Sequence, residues 1–149
     1  MLTPTAYTFT LRVAAEDIDA QNHVNNVAYL KYVQDAAVRH WFSVAPADVA
    51  AAVAWVVRRH EIEYARPARL GDELELTVRV ELVRGVRGVR RTTISLAADG
   101  AGVANVWSEW VWVRLADGRP SRVPSELVEV AARVTADTLA RRSRDGVRA

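Results

Sequence analysis

Residues 25–42 read NNVAYLKYVQDAAVRHWF, and their spacing decides the fold. Tyr29, Val33, Ala36, Ala37, His40 and Trp41 recur at the intervals that put side chains on one face of an α-helix, while Lys31, Gln34, Asp35 and Arg39 fall on the other. At ~1.5 Å per residue such a helix is about 25 Å long, enough to cross a whole β-sheet. It is expected at the centre of the fold, with its apolar stripe against one sheet face.

The flanking segments read as strands. On the N-terminal side Tyr7, Phe9, Leu11 and Val13 alternate with Thr8, Thr10 and Arg12, which predicts a strand over 7–13. On the C-terminal side a strand is expected over 55–64, ending before Arg66-Pro67, where proline stops ladder donation. Leu74, Leu76, Val78, Val80 and Leu82 then interleave with Glu73, Glu75, Thr77, Arg79 and Glu81, the signature of a sheet wet on one face. A turn at Gly85 to Gly88 leads to a strand over 89–97, and Asp99-Gly100-Ala101-Gly102 leads to another over 103–115. Pro124 suits the first turn of a closing amphipathic helix reaching about Arg141, with a frayed basic tail over 141–149. Short turns make the later strands antiparallel. The economical result is an α+β domain in which one curved antiparallel sheet wraps one long helix, and pairing with a second copy would protect the sheet edge.

Composition narrows the function classes. The 149 residues are 50% hydrophobic and 26% charged, the make-up of one folded domain over 1–149. Zero cysteine removes disulfides, thiolate metal sites and Cys nucleophiles together. A net charge of +2 gives no general attraction to nucleic acid or anionic lipid. No basic residue precedes Arg12, and the longest apolar run, Val49 to Val57, is about half a membrane span, so a cytoplasmic location is expected. There is no phosphate-binding or dinucleotide glycine motif, no Gly-x-Ser-x-Gly elbow and no defensible metal-ligand spacing; no cofactor or metal is expected.

Chemistry concentrates at the start of the long helix. Asp17, Asp19, His23, Asn25 and Asn26 lie within ten residues of one another, where a helix offers unpaired N–H groups and the positive end of its dipole. Such a terminus stabilises an oxygen that gains negative charge. If the loop is extended, Asp17 and Asp19 point the same way, and mutual repulsion would raise one carboxyl enough to make it a base near neutral pH. The same residue types also serve as helix caps, Asn25 being the best candidate.

The run Asp17-Ile18-Asp19, then His23-Val24-Asn25-Asn26 and Tyr29, resembles the active-site loop of hotdog-fold acyl thioesterases, both the 4-hydroxybenzoyl-CoA thioesterase-like group and the plant acyl-ACP thioesterases. The likeness continues through Glu61-Ile62-Glu63-Tyr64, Arg66-Pro67-Ala68-Arg69-Leu70-Gly71-Asp72, Gly118-Arg119-Pro120 and Val123-Pro124, nearly the whole chain. It implies a hotdog fold and hydrolysis of an acyl-CoA. Asp19 would be nucleophile or general base, the Asn26 N–H would polarise the thioester carbonyl, and His23 would position water or the loop. Where the plant enzymes carry Asn two residues after the aspartate, this chain has Gln21.

The resemblance also assigns substrate contacts. Arg90 and Arg91, with Arg87 behind them, would meet the CoA phosphates. From its place on the helix stripe, Tyr29, together with Val33, Ala36 and Ala37, either borders the acyl channel or packs the core. Glu61 and Glu63 are candidates for a second acid from a partner subunit. The expected partners are an acyl-CoA and further copies of the chain, as a dimer or tetramer, with no nucleic acid or membrane. An acyl-ACP thioesterase, a hotdog hydratase using an Asp and His pair, and a non-catalytic acyl-CoA binding module are the alternatives.

Overall fold

Alternation in the sequence becomes alternation of burial. In the strand Glu73–Arg84, Leu74, Leu76 and Val78 are fully buried while Glu73, Glu75 and Arg79 are exposed. The computed structural model describes residues 6–125. Its elements in chain order are β1 (Tyr7–Arg12), a 3₁₀ turn (Ala15–Asp17), α1 (Asn26–Val44), α2 (Ala47–Ala52), β2 (Val53–Tyr64), β3 (Glu73–Arg84), β4 (Arg87–Leu96) and β5 (Gly102–Arg114). The five strands form one sheet in the order β1-β3-β4-β5-β2, every neighbouring pair antiparallel. This is the helix-wrapping sheet expected from the sequence, with β1 and β2 as its edges. The expected closing helix and basic tail lie outside the described residues.

Helix α1 covers the sheet with the predicted stripe. Ala28, Tyr29, Tyr32, Val33 and Ala36 join Leu74, Leu76, Val78, Ile94, Val103 and Val106 in the main core. At the other end of α1, Trp41 meets Trp112 edge to face at 5.6 Å, in a second cluster with Val83 and Val123. Trp110 and Trp112 point inward whereas Trp107 faces the other way, as period-2 geometry requires.

Local chemistry sets the boundaries. Asn25 caps α1 by accepting from the Val27 N–H at 3.0 Å. The helix ends at Val44 because Ala45 precedes a proline and takes an extended conformation (φ −76°, ψ 129°). The short α2, unread in the sequence, occupies the alanine-rich stretch after Pro46 and delivers the chain into β2 two residues before the expected start. Gly85, at φ +62°, allows the tight turn between β3 and β4. Gly88 leaves room for Trp55, since a Cβ there would lie 2.8 Å from the indole.

Leu76 is fully buried between α1 and the sheet. Leu76→Ala is expected to cost about 2–5 kcal/mol of stability, read as a lower urea midpoint at unchanged slope.

Candidate active site

The loop between β1 and α1 turns sharply and holds one carboxylate by its backbone. The Asp19 N–H donates to the His23 carbonyl at 2.8 Å, and the Asn22 N–H donates to the Asp19 carbonyl at 3.1 Å. Asn22 takes the left-handed conformation that this turn needs, φ 61°, and asparagine tolerates it better than most residues. Oδ1 of Asp19 accepts from the N–H of Gln21 at 2.9 Å and of His23 at 3.3 Å. Its other oxygen, Oδ2, makes no hydrogen bond among the described residues. Gln21, a departure from the plant pattern in its side chain, contributes here through its backbone.

The same loop ends at the first turn of α1. The Asn25 N–H donates to the Asp17 carbonyl at 2.7 Å, and the Val24 N–H donates to the Ala68 carbonyl at 2.9 Å, so the loop is pinned on both sides of His23. The Val27 N–H goes to the Asn25 side chain and the Ala28 N–H to the Asn25 carbonyl. The Asn26 N–H has no acceptor among the described residues. From β2, the Tyr64 hydroxyl donates to the Asn26 carbonyl at 3.1 Å, and its ring meets Tyr29 at 5.5 Å. Tyr29 is buried, and its hydroxyl accepts from the Ala68 N–H at 3.2 Å. Burial, foremost, holds the Tyr29 phenol above its ordinary value, and the nearby Asp19 and Asp72 carboxylates add to the effect.

Asp17 does something else, and the expectation of paired aspartates fails. Residues 15–17 form a 3₁₀ turn rather than an extended strand, and the Asp17 side chain turns inward. It accepts from Lys31 Nζ at 2.7 Å and from the Tyr32 hydroxyl at 2.9 Å. Burial works to raise this carboxyl, but the two donors outweigh burial and hold it below the usual aspartate range. Burial and Asp17 together push the Tyr32 phenol up. Asp17 is a strut between loop and helix, not a base.

The arginines divide by strand parity. Arg90 lies under α1, 5% exposed, donating to the Ala37 carbonyl at 3.1 Å. That corrects its expected place beside Arg91 at a surface phosphate site. Arg91, on the opposite face, bonds Asn105 Oδ1 at 3.2 Å and lies over the Trp107 ring at 5.0 Å. Arg87 shares that outer face and pairs with Glu109 at 3.3 Å. The parity of β4, where Gly88, Thr92 and Ile94 point inward, already puts Arg90 inside. His23 is half-buried, with no side-chain bond among the described residues. Glu61 and Glu63 are exposed, Glu61 paired with Arg59 at 3.4 Å. Of the expected acyl-channel residues, Ala37 borders a groove, whereas Tyr29, Val33 and Ala36 are core. Tyr64 was missed as a site residue; an aromatic closing a strand just before Arg66-Pro67 was the available signal. Among the described residues no cluster of His, Asp and Glu could hold a metal ion.

Residues 13–131 match the family model of the thioesterase-like superfamily. The chain belongs to that superfamily. Among its relatives, the long-chain acyl-CoA thioesterase FadM of Escherichia coli K12 is 29% identical over 124 residues, spanning 80% of this chain and 92% of FadM. The acyl-CoA thioester hydrolase YbgC of E. coli O6:H1 is 36% identical over 84 residues, 54% of this chain and 63% of YbgC. Among solved structures, the probable thioesterase YbaW of E. coli superposes with a TM-score of 0.69 at 26% identity, covering 86% of this chain and 96% of YbaW. Slr0204 of Synechocystis, a 1,4-dihydroxy-2-naphthoyl-CoA thioesterase, shares the fold with a TM-score of 0.72 at 17% identity, over 86% of this chain and 96% of its own. The hotdog fold and the thioester-hydrolase class expected from the sequence are those of this superfamily. Among the described residues no helix is long and apolar enough to cross a membrane.

A carboxyl depressed by folding contributes stability above its unfolded pKa and loses it as pH falls through the folded value. Asp17→Asn is therefore expected to be less stable than the parent by about 1–3 kcal/mol at pH 7. The difference should close as pH drops below about 4, followed by thermal melts across that range.

Proposed function

We propose that the chain hydrolyses an acyl-CoA to the free carboxylic acid and CoA, with Asp19 as general base and the Asn26 N–H as carbonyl donor. One observation carries this reading: the Asp19 carboxylate is held through Oδ1 by two backbone N–H groups, with no hydrogen bond to Oδ2 among the described residues, in the loop that leads into a helix whose first N–H has no acceptor among them. In the step proposed, Oδ2 takes a proton from water as the water oxygen bonds to the thioester carbon. The carbonyl oxygen becomes an oxyanion on the Asn26 N–H, at the positive end of α1. Collapse breaks the carbon–sulfur bond, and the proton held by Asp19 passes to the departing thiolate. His23 fixes the carboxylate through its main chain, and its half-buried ring borders the same loop.

The names of FadM and YbgC favour CoA over a carrier protein as the thiol partner. Arg87 and Arg91, together on the outer face, are the proposed phosphate contacts. Replacing both by Ala is expected to raise KM for acyl-CoA several-fold while leaving kcat within about twofold, since such contacts bind ground and transition states alike. Self-association is proposed along β2, a 12-residue edge strand that exposes Val56 and Val57.

Thiol release from a panel of acyl-CoAs tests the reaction. Asp19→Asn keeps an acceptor for the loop N–H groups but removes the base, so kcat should fall about 10²- to 10⁴-fold with little change in melting temperature. Parent-like turnover by this variant would falsify the assignment. Tight acyl-CoA binding without turnover by the wild type would instead support a binding module.

A further inference from the structure

Three strands place polar side chains in one row on the helix-facing side of the sheet. Arg90 of β4 stands opposite Ser108 of β5, and Ser108 stands opposite His60 of β2. His60 Nδ1 and Ser108 Oγ share a hydrogen bond of 2.7 Å. Beside the row, the Trp110 ring lies 5.5 Å from the Arg90 guanidinium and meets His60 edge to face at 6.2 Å. Ser108 is 1% exposed, Trp110 3% and Arg90 5%, so these groups belong to the interior.

Two donor groups there are short of acceptors among the described residues, one wholly and one in part. Trp110 Nε1 is buried with no partner among the described residues. Arg90 donates only to the Ala37 carbonyl, and no described carboxylate pairs with it. Burial without a counter-charge pulls its guanidinium down to about 10. A lone buried cation is costly unless an anion meets it. The residues that carry these donors, Arg90 and Trp110, are among those lining a groove of about 240 Å³ between α1 and β2, whose other walls include Ala37, Val38, Phe42 and Trp55. Its lining is mostly apolar, with Arg90 the cationic residue in it.

Helix α1 sets its distance from the proposed reacting centre: Ala37, on the groove wall, lies eleven residues beyond Asn26, about 16 Å. The exposed face of α1 carrying Val27, Gln34 and Val38 runs from one to the other.

We infer that the groove receives the far end of a long acyl group, and that the preferred acyl group ends in a carboxylate bound by Arg90 and the Trp110 N–H. The inference rests on Asp19 and Asn26 being the reacting centre. It is tested with pairs of CoA thioesters of equal length ending in methyl or carboxylate: decanoyl against sebacoyl, dodecanoyl against dodecanedioyl, tetradecanoyl against tetradecanedioyl. At one length the wild type should favour the carboxylate by at least about tenfold in kcat/KM, and Arg90→Met should lower that ratio about 10- to 100-fold. Trp110→Phe removes the N–H but keeps an aromatic ring, and should lower the ratio in the same direction if Arg90→Met does not fold. Preference for the methyl end at every length, or equal losses on both members of a pair, would overturn the inference and leave the thioesterase reading intact. Equal losses accompanied by dissociation to monomers in light scattering would assign the groove to a second copy. If the wild type cleaves neither series, the thioesterase reading fails; calorimetric titration with free dodecanedioate then decides the subsite, which requires binding by the wild type that Trp110→Phe weakens.

Discussion

An α-helix cannot satisfy its own first amides, and this structure is arranged around that fact. Helix α1 is fixed against the sheet by its apolar stripe, so its N-terminus has a set position and direction. Two of the first amides are absorbed by Asn25, one by its side chain and one by its carbonyl. The amide of Asn26 is left over among the described residues. A donor held rigidly by the main core costs little reorganisation when charge develops before it, which is the property a thioester-cleaving site needs.

The loop before the helix divides its two aspartates by environment. Asp17 is buried, bonded to Lys31 and Tyr32, and ties the loop to the second turn of α1. Asp19, two residues later, has one oxygen committed to the turn and the other without a hydrogen bond among the described residues. The same side chain is structural in one place and available in the other. Around them, Tyr29 and Tyr64 connect the helix start to the Ala68 segment and to β2. The site is therefore built from elements far apart in the chain, with the main core directly beneath it.

The helix-facing side of the sheet is not uniformly apolar. Toward β1 and β3 it is a dense aliphatic core. Toward β5 and β2 it carries Arg90, Ser108 and His60 in one row, beneath tryptophans and a groove. Hydrophobic packing alone has no use for a guanidinium there, since methionine would fill similar space without the desolvation cost. That asymmetry across one sheet face separates the part of the fold that supplies stability from the part that has room to recognise something.

How far the sequence reached follows from which interactions are periodic. The long helix and the strands were legible because burial on one face imposes a period that few substitutions can hide, as in Leu74, Leu76 and Val78, and short turns gave the antiparallel sense of the later strands but not the pairing of β2 with β5. The loop carrying Asp19 and the start of the helix at Asn26 stood out through the family resemblance, since helix-start chemistry alone leaves capping and catalysis both open. The separate duties of Asp17 and Asp19 were not legible, because they depend on a 3₁₀ turn and on partners fifteen residues away. The placement of Tyr64 against Asn26, and of Arg90 between α1 and two tryptophans, came only from tertiary packing. Residues distant in the chain meet there, and whether a charge is paired, buried or exposed is settled by neighbours that no local period encodes.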